Sequence, residues 1–267
     1  VSKHLVALSA IAAVAGCNEN GGPAEGFDID QFMIHGGSLP NAPEHDATVA
    51  ISTFNKPKKN VFCSGTLIED DVVMTAAHCM DEAAFGAAYN EVETTDIKVG
   101  FGIHAKGALA DTTFVTVSDV EILSTYDRTG FGEDDVALIR LTANAPVGFA
   151  PVPALPPAQA LDDPGDIGGS INIAGWGENN TADPASTKLQ GDFTILSLDA
   201  THVSYSNQFD ATCFGDSGGS MYWDDAGTIY LAGVTSYITF NGFDCSSIGA
   251  VGTSMRVDAY DAFIAAF

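Results

Sequence analysis

Basic residues are scarce: the 267-residue chain has 10 Lys+Arg against 35 Asp+Glu, a formal charge of −25. Such a surface repels phosphate backbones and anionic headgroups, which argues against nucleic acid as a partner. Charged residues make up only 17%, below the usual quarter or so, whereas hydrophobic residues reach 46%, enough for a substantial core. No stretch has the ~20 apolar residues of a transmembrane helix. There is no internal repeat and no low-complexity tract. His4, His35, His45, His104 and His202 show no metal-ligand spacing, so no metal and no other cofactor is expected.

The longest apolar run, "LVALSAIAAVAG", follows Lys3 and His4 and is too short to span a bilayer as a mature helix. It reads as the apolar region of a signal peptide. Its end, "VAGC" (14–17), resembles the lipobox of bacterial lipoproteins, in which cleavage leaves Cys17 acylated. The expectation is a signal peptide over 1–16 and a polar, Gly-rich tether or propeptide over 17–33. Membrane contact would come only through a lipidated Cys17. Localisation would be exported: the bacterial cell envelope, or the extracellular space after propeptide cleavage.

Cysteines number only five. If Cys17 carries lipid, Cys63, Cys79, Cys213 and Cys245 remain, enough for two bridges in an oxidising compartment; parity alone permits three connectivities.

From about residue 48 short β-branched runs alternate with turn residues: "TVAISTF", "VFCSGTLI", "DVVMTA", "TTFVTVSDVEIL" and "VALIRL", then "SINIAGW", "DFTILSL", "TIYLAGVTSY" and "TSMRV". That spacing predicts an all-β chain of barrels or sandwiches. The segment 146–164 holds six of the eleven prolines and cannot be a central strand, so it reads as a connector between two β-rich halves. Tyr260, Phe263, Ile264 and Phe267 fall on one face of a short C-terminal helix over 258–267.

Three local patterns carry chemistry. "TAAHC" (75–79) puts His78 at the end of an apolar strand, "EDDVALIRL" (133–141) puts Asp135 before another, and "CFGDSGGS" (213–220) holds Ser217 among glycines. A serine hydroxyl is a poor nucleophile at neutral pH and needs a base within reach and a third group to orient that base. Histidine suits the base and a buried carboxylate suits the orienter.

These segments, with "FCSGTLI", "IAGWG" and "LAGVTSY", resemble the landmark sequences of chymotrypsin-like serine proteases from about residue 34 onward. The resemblance implies two perpendicular six-stranded antiparallel barrels, the first about 34–145 and the second about 165–257, with the active site between them. It implies that His78 is general base and acid, Asp135 its orienter and Ser217 the nucleophile. Asp134 is adjacent, but the family's aspartate directly precedes the apolar-Ala-Leu run. The N–H groups of Gly215 and Ser217 would form the oxyanion hole, and Ser236 matches the serine that supports the buried aspartate. Bridges Cys63–Cys79 and Cys213–Cys245 are implied in the same way.

The resemblance also places Ala211 and Thr212 at the floor of the primary specificity pocket, with Ile238 and Gly252 as walls. An acidic floor, which selects Lys or Arg, is lacking, although Asp210 is nearby. Small or medium uncharged side chains on the acyl side of the cut are therefore expected. "MIHGG" (33–37) resembles the activation site, with Ile34 as a new N-terminus pairing with Asp216; His35 and Met33 depart from the usual pattern. The segment 98–107 falls near the family's calcium loop but offers no carboxylate. The implied partners are protein or peptide substrates, an activating protease and proteinaceous inhibitors, acting on a monomer. The competing reading is a catalytically inactive homologue serving as a binding module. An esterase on an α/β-hydrolase fold fails on triad order and on the absence of G-x-S-x-G around Ser217.

Overall fold

The computed structural model describes residue 34 and residues 37–53, 60–81, 96–105, 110–128, 132–161, 164–177, 187–207, 211–239 and 250–267. Expectations for Cys17, the rest of 1–33, His35, Asp210 and Cys245 lie outside these residues.

Twelve strands close into two antiparallel barrels. The first comprises β1 (Thr48–Thr53), β2 (Asn60–Glu69), β3 (Val72–Thr75), β4 (Ile97–Phe101), β5 (Thr113–Ile122) and β6 (Ala137–Leu141), in the order β1-β2-β3-β6-β5-β4. The second comprises β7 (Ser170–Gly175), β8 (Leu189–Leu198), β9 (His202–Ser206), β10 (Ser220–Asp225), β11 (Thr228–Thr239) and β12 (Val251–Arg256), in the order β10-β11-β12-β9-β8-β7. Side-chain alternation explains the closure. Along β8, Leu189, Gly191, Phe193 and Ile195 are buried while Asp192, Thr194 and Leu196 are exposed, as one inward face requires. Leu67, Met74, Val99, Phe101, Leu138 and Ile139 fill the first barrel. Ile171, Ile173, Phe193, Ile195, Val203, Tyr205 and Met221 fill the second.

Three strands, β4, β9 and β10, were not among the β-branched runs. "IKVGF", "HVSYS" and "SMYWDD" carry Gly, His, Ser or Asp, and tertiary pairing rather than local preference makes them strands. The C-terminal helix is shorter than 258–267. A 3₁₀ turn (Val257–Tyr260) leads into one α-helical turn, α2 (Asp261–Ile264). Its apolar face still docks: Tyr260 is buried and Phe263, Ile264 and Phe267 pack against the first-barrel core. The Arg140 guanidinium of β6 lies 4.6 Å from the Phe267 ring centroid.

The Pro-rich connector touches both barrels. Val152 N–H donates to the Leu67 carbonyl of β2, and Leu155 N–H to the Leu231 carbonyl of β11. Between the barrels runs a buried chain of hydroxyls. Thr48 Oγ1 lies 2.8 Å from both Ser220 Oγ and Tyr222 OH, and Ser220 Oγ lies 2.6 Å from Thr66 Oγ1. Tyr222 OH donates onward to the Glu44 carbonyl. Beside this chain Lys188, wholly buried, donates to the carbonyls of His45 (2.6 Å) and Thr48 (3.0 Å). Burial pushes its ammonium down to about 8, against the pull of Asp46 and Asp111.

Candidate active site

His78 lies not at the end of a strand but one step further, in a single helical turn, α1 (Ala77–Met80), that follows β3. A disulfide joins its neighbour Cys79 to Cys63 of β2, fixing the turn against the barrel wall. Asp135 comes from the other side of β3. Asp134 sits in the left-handed region at φ 52° with its carboxylate accepting from Tyr260 OH at 3.0 Å. This turn, tolerable for Asp, aims the next carboxylate inward.

Asp135 is 1% exposed and its oxygens are fully engaged. Oδ1 accepts His78 N–H at 2.8 Å; Oδ2 accepts from His78 Nδ1 at 2.7 Å and from Ser236 Oγ at 2.5 Å. Ser236 reaches it because β11 carries a register shift between Thr235 and Tyr237, which turns the extra residue toward the carboxylate. Desolvation pulls the His78 pKa down, but the Asp135 charge and hydrogen bond outweigh it and carry the imidazole above its ordinary value. Burial likewise pushes Asp135 up, and the His78 charge with its hydrogen bonds overrides this, leaving the carboxyl below the usual range. Two further ionic groups border the site: Arg128 forms a bidentate pair with Asp81, at 2.6 and 2.7 Å.

Ser217 is brought to the same edge. Its carbonyl accepts Ser64 N–H at 2.8 Å and lies 3.6 Å from Cys79 Sγ, which in turn lies 3.8 Å from His78 Nε2. Among the described residues the Ser217 hydroxyl makes no hydrogen bond. The turn spends its other amides internally: Asp216 N–H on the Cys213 carbonyl, Gly218 N–H on Thr235 and Gly219 N–H on Asp216. Among the described residues, the N–H groups of Gly215 and Ser217 are left without a protein acceptor. Gly215 has φ +95°, a conformation that requires glycine there.

Asp216 is wholly buried and, among the described residues, its carboxylate accepts from Gly177 N–H (2.8 Å) and Cys213 N–H (2.9 Å). Burial, which those two bonds only partly offset, pushes its carboxyl up to about 6. Ile34 is already inside the second-barrel core, 2% exposed, although residue 33 still precedes it.

Ala211 and Thr212 are buried behind the Ser217 turn, while Ile238 of β11 and Gly252 of β12 are register partners beside it. Cys213 is disulfide-bonded; Cys245 lies outside the described residues. The sulfurs of Cys63 and Cys79 cluster with His78, but a disulfide offers no thiolate to a metal. Sequence reasoning missed Ser64, which stood in plain view beside Cys63 in "FCSGTLI" with nothing to reveal its partners.

The trypsin family profile matches residues 34–264. A CLIP domain-containing serine protease B4 of Anopheles gambiae is 26% identical over 84% of this chain and 67% of its own length. A trypsin-like protease of Streptomyces glaucescens is 30% identical over 74% of this chain and 71% of its own length. A trypsin of Saccharopolyspora erythraea is 30% identical over 85% and 94%. With two six-stranded barrels, a His–Asp pair and a glycine-bounded serine between them, the chain belongs to the trypsin family and is a serine endopeptidase.

Proposed function

We propose that Ser217, His78 and Asp135 form the catalytic triad of this endopeptidase. The observation that carries the reading is the Asp135 carboxylate, whose oxygens hold both the Nδ1 and the backbone N–H of His78. With Nδ1 committed, Nε2 is the nitrogen free to take the Ser217 proton. Ser217 Oγ then bonds to the scissile carbonyl carbon, and the carbonyl oxygen takes up negative charge before the free N–H groups of Gly215 and Ser217. Collapse expels the amine, protonated by His78, and leaves an acyl-enzyme that water resolves by the reverse roles. A fluorophosphonate probe labels the processed protein, and Ser217→Ala abolishes the label. A folded protein cut before Ile34 that stays unlabelled would support the inactive binding-module reading instead.

The chain is also read as a zymogen. Asp216 is a buried carboxyl with no cation against it among the described residues, and such a group calls for a charged partner. Cutting before Ile34 supplies an α-ammonium on a residue that already lies in the second-barrel core. N-terminal sequencing of the active species gives Ile34; activity in protein that still carries Met33 overturns this part. Acylation of Cys17 belongs to the same reading, so that cutting before Ile34 releases the protease from the membrane into the cell exterior. Metabolic labelling with a fatty acid tests it, and a label that survives Cys17→Ser refutes it. Substrates, activator and inhibitors would be proteins meeting a monomer.

A further inference from the structure

We propose that Asp81 and Arg128 are positioning residues for His78, a carboxylate and a guanidinium whose paired charges set the field in which the imidazole takes up and gives back its proton. The inference rests on the triad reading above and deepens it.

Asp81 follows His78 by three residues and caps the C-terminal end of α1. Side chains three apart on a helical turn are neighbours. The Asp81 side chain is only 10% exposed, and a single fork holds both of its oxygens. Arg128 Nε donates to Oδ2 at 2.7 Å and Nη2 to Oδ1 at 2.6 Å. Arg128 belongs to the turn after β5, and its side chain is 51% exposed. A half-exposed ion pair adds little to stability. Its influence on a third, partly buried group is a separate matter, because such interactions are screened much less than those between exposed charges.

Among the described residues, charged and titratable groups surround the imidazole from three directions. Asp135 precedes β6 and holds Nδ1, Asp81 lies on the same helical turn as His78, and Tyr126 and Arg128 come from the turn after β5. That these charges share one neighbourhood is visible at Tyr126: burial, then Asp135 and Asp81, push its phenol upward against the pull of Arg128. From the second barrel the Ser217 turn brings Asp216, whose carboxylate is turned to Gly177 and Cys213, and Cys79 is locked in its disulfide. Desolvation drives His78 toward the neutral form; Asp135 leads the opposing groups, and the Asp81 charge adds to it. A second carboxylate without its counter-charge would keep the base protonated, and idle, to a higher pH. The Arg128 fork offsets that charge at its source. In a chain with only 10 Lys+Arg, one of the few cations stands here.

The experiment follows kcat/KM against pH on protein cut before Ile34, for the parent and for Arg128→Gln, Arg128→Lys and Asp81→Asn. In Arg128→Gln the midpoint of the acid limb should rise by about half a pH unit, as one charge several ångströms away near a surface produces. Asp81→Asn should lower it. Arg128→Lys, which keeps the charge but loses the fork, should hold the midpoint near that of the parent. Midpoints that coincide in all four proteins, or a rise in Arg128→Gln that Arg128→Lys shares in full, overturn the proposal and leave the pair a structural clamp. NMR titration of the His78 imidazole in uncut Ser217→Ala protein, its resonance assigned by its loss in Ser217→Ala/His78→Gln, requires no turnover and should show the same order when the Arg128 and Asp81 changes are added. That order, with no fluorophosphonate labelling of the cut parent, would support the charge pair and count against the triad. Labelling with unmoved midpoints would do the opposite.

Discussion

Ser64 Oγ donates to the Gly215 carbonyl at 2.8 Å, while the Ser64 backbone N–H donates to the Ser217 carbonyl at the same distance. One residue of the first barrel thus grips both residues whose amides are left over in the second. Its hydroxyl also accepts Trp176 N–H at 2.8 Å, and its carbonyl accepts Thr75 Oγ1 at 2.7 Å. In the proposed mechanism Ser64 is a positioning residue: buried itself, it fixes the peptide planes of the oxyanion hole.

Ser64→Ala is expected to leave the Gly215 carbonyl and Trp176 N–H unpaired, at a cost of about 1–3 kcal/mol in stability. It should lower kcat more than it raises KM, because the proposed oxyanion hole is loosened only where negative charge develops. Steady-state kinetics with thermal melting check this; a pure KM effect would refute it.

The acid limb of activity follows from His78. In the proposed triad the base, His78, must be neutral, and Asp135 carries its pKa above 6.5. Activity should therefore climb as pH rises through a value above 6.5, and Asp135→Asn should move that limb to lower pH while greatly reducing the plateau. The pair's stability contribution has two edges. The histidine's part is complete below 6.5 and fades as pH rises through the raised value; the aspartate's part is lost only as pH falls through its lowered value. A pH–rate profile of both proteins decides it.

Asp216 gives the uncut chain an opposite signature. Its carboxyl titrates near 6 when folded against 3.8 in the reference state. The folded form is thus relatively favoured at low pH and loses up to about 3 kcal/mol as pH rises through 6. Asp216→Asn in the uncut chain should melt higher than the parent at pH 7.5, with the gap closing toward pH 4. A constant gap across that range would contradict it.

The Cys63–Cys79 bridge closes a loop with a sequence separation of 16. Removing it by paired Ala substitutions should cost about 2–4 kcal/mol. It should also reduce kcat, since α1 carrying His78 loses its brace. Melting and turnover measured with and without reductant on the parent protein provide the control.

The sequence made the chemistry more legible than the scaffolding around it. The pairing of His78 with Asp135 could be read because each sits in a short motif whose residue types the proposed reaction demands. Strands such as β1 and β6 could be read because β-branched residues announce a half-buried pleat. The strand β9 could not, since "HVSYS" has weak local preference and becomes a strand only against β8 and β12. Ser236 could be assigned to Asp135 by resemblance, yet the bulge that aims it is a register event with no residue signature of its own.

The hydroxyl chain from Thr48 through Ser220 to Thr66 and Tyr222 bears on how the two halves move. A greasy seam would let one half glide over the other by fractions of an ångström with little change in energy. Directional bonds between pegs of fixed length admit a single seating. These bonds tie β1 and β2 of one barrel to β10 of the other, and loosening any one peg should blur the alignment of groups that belong to different halves.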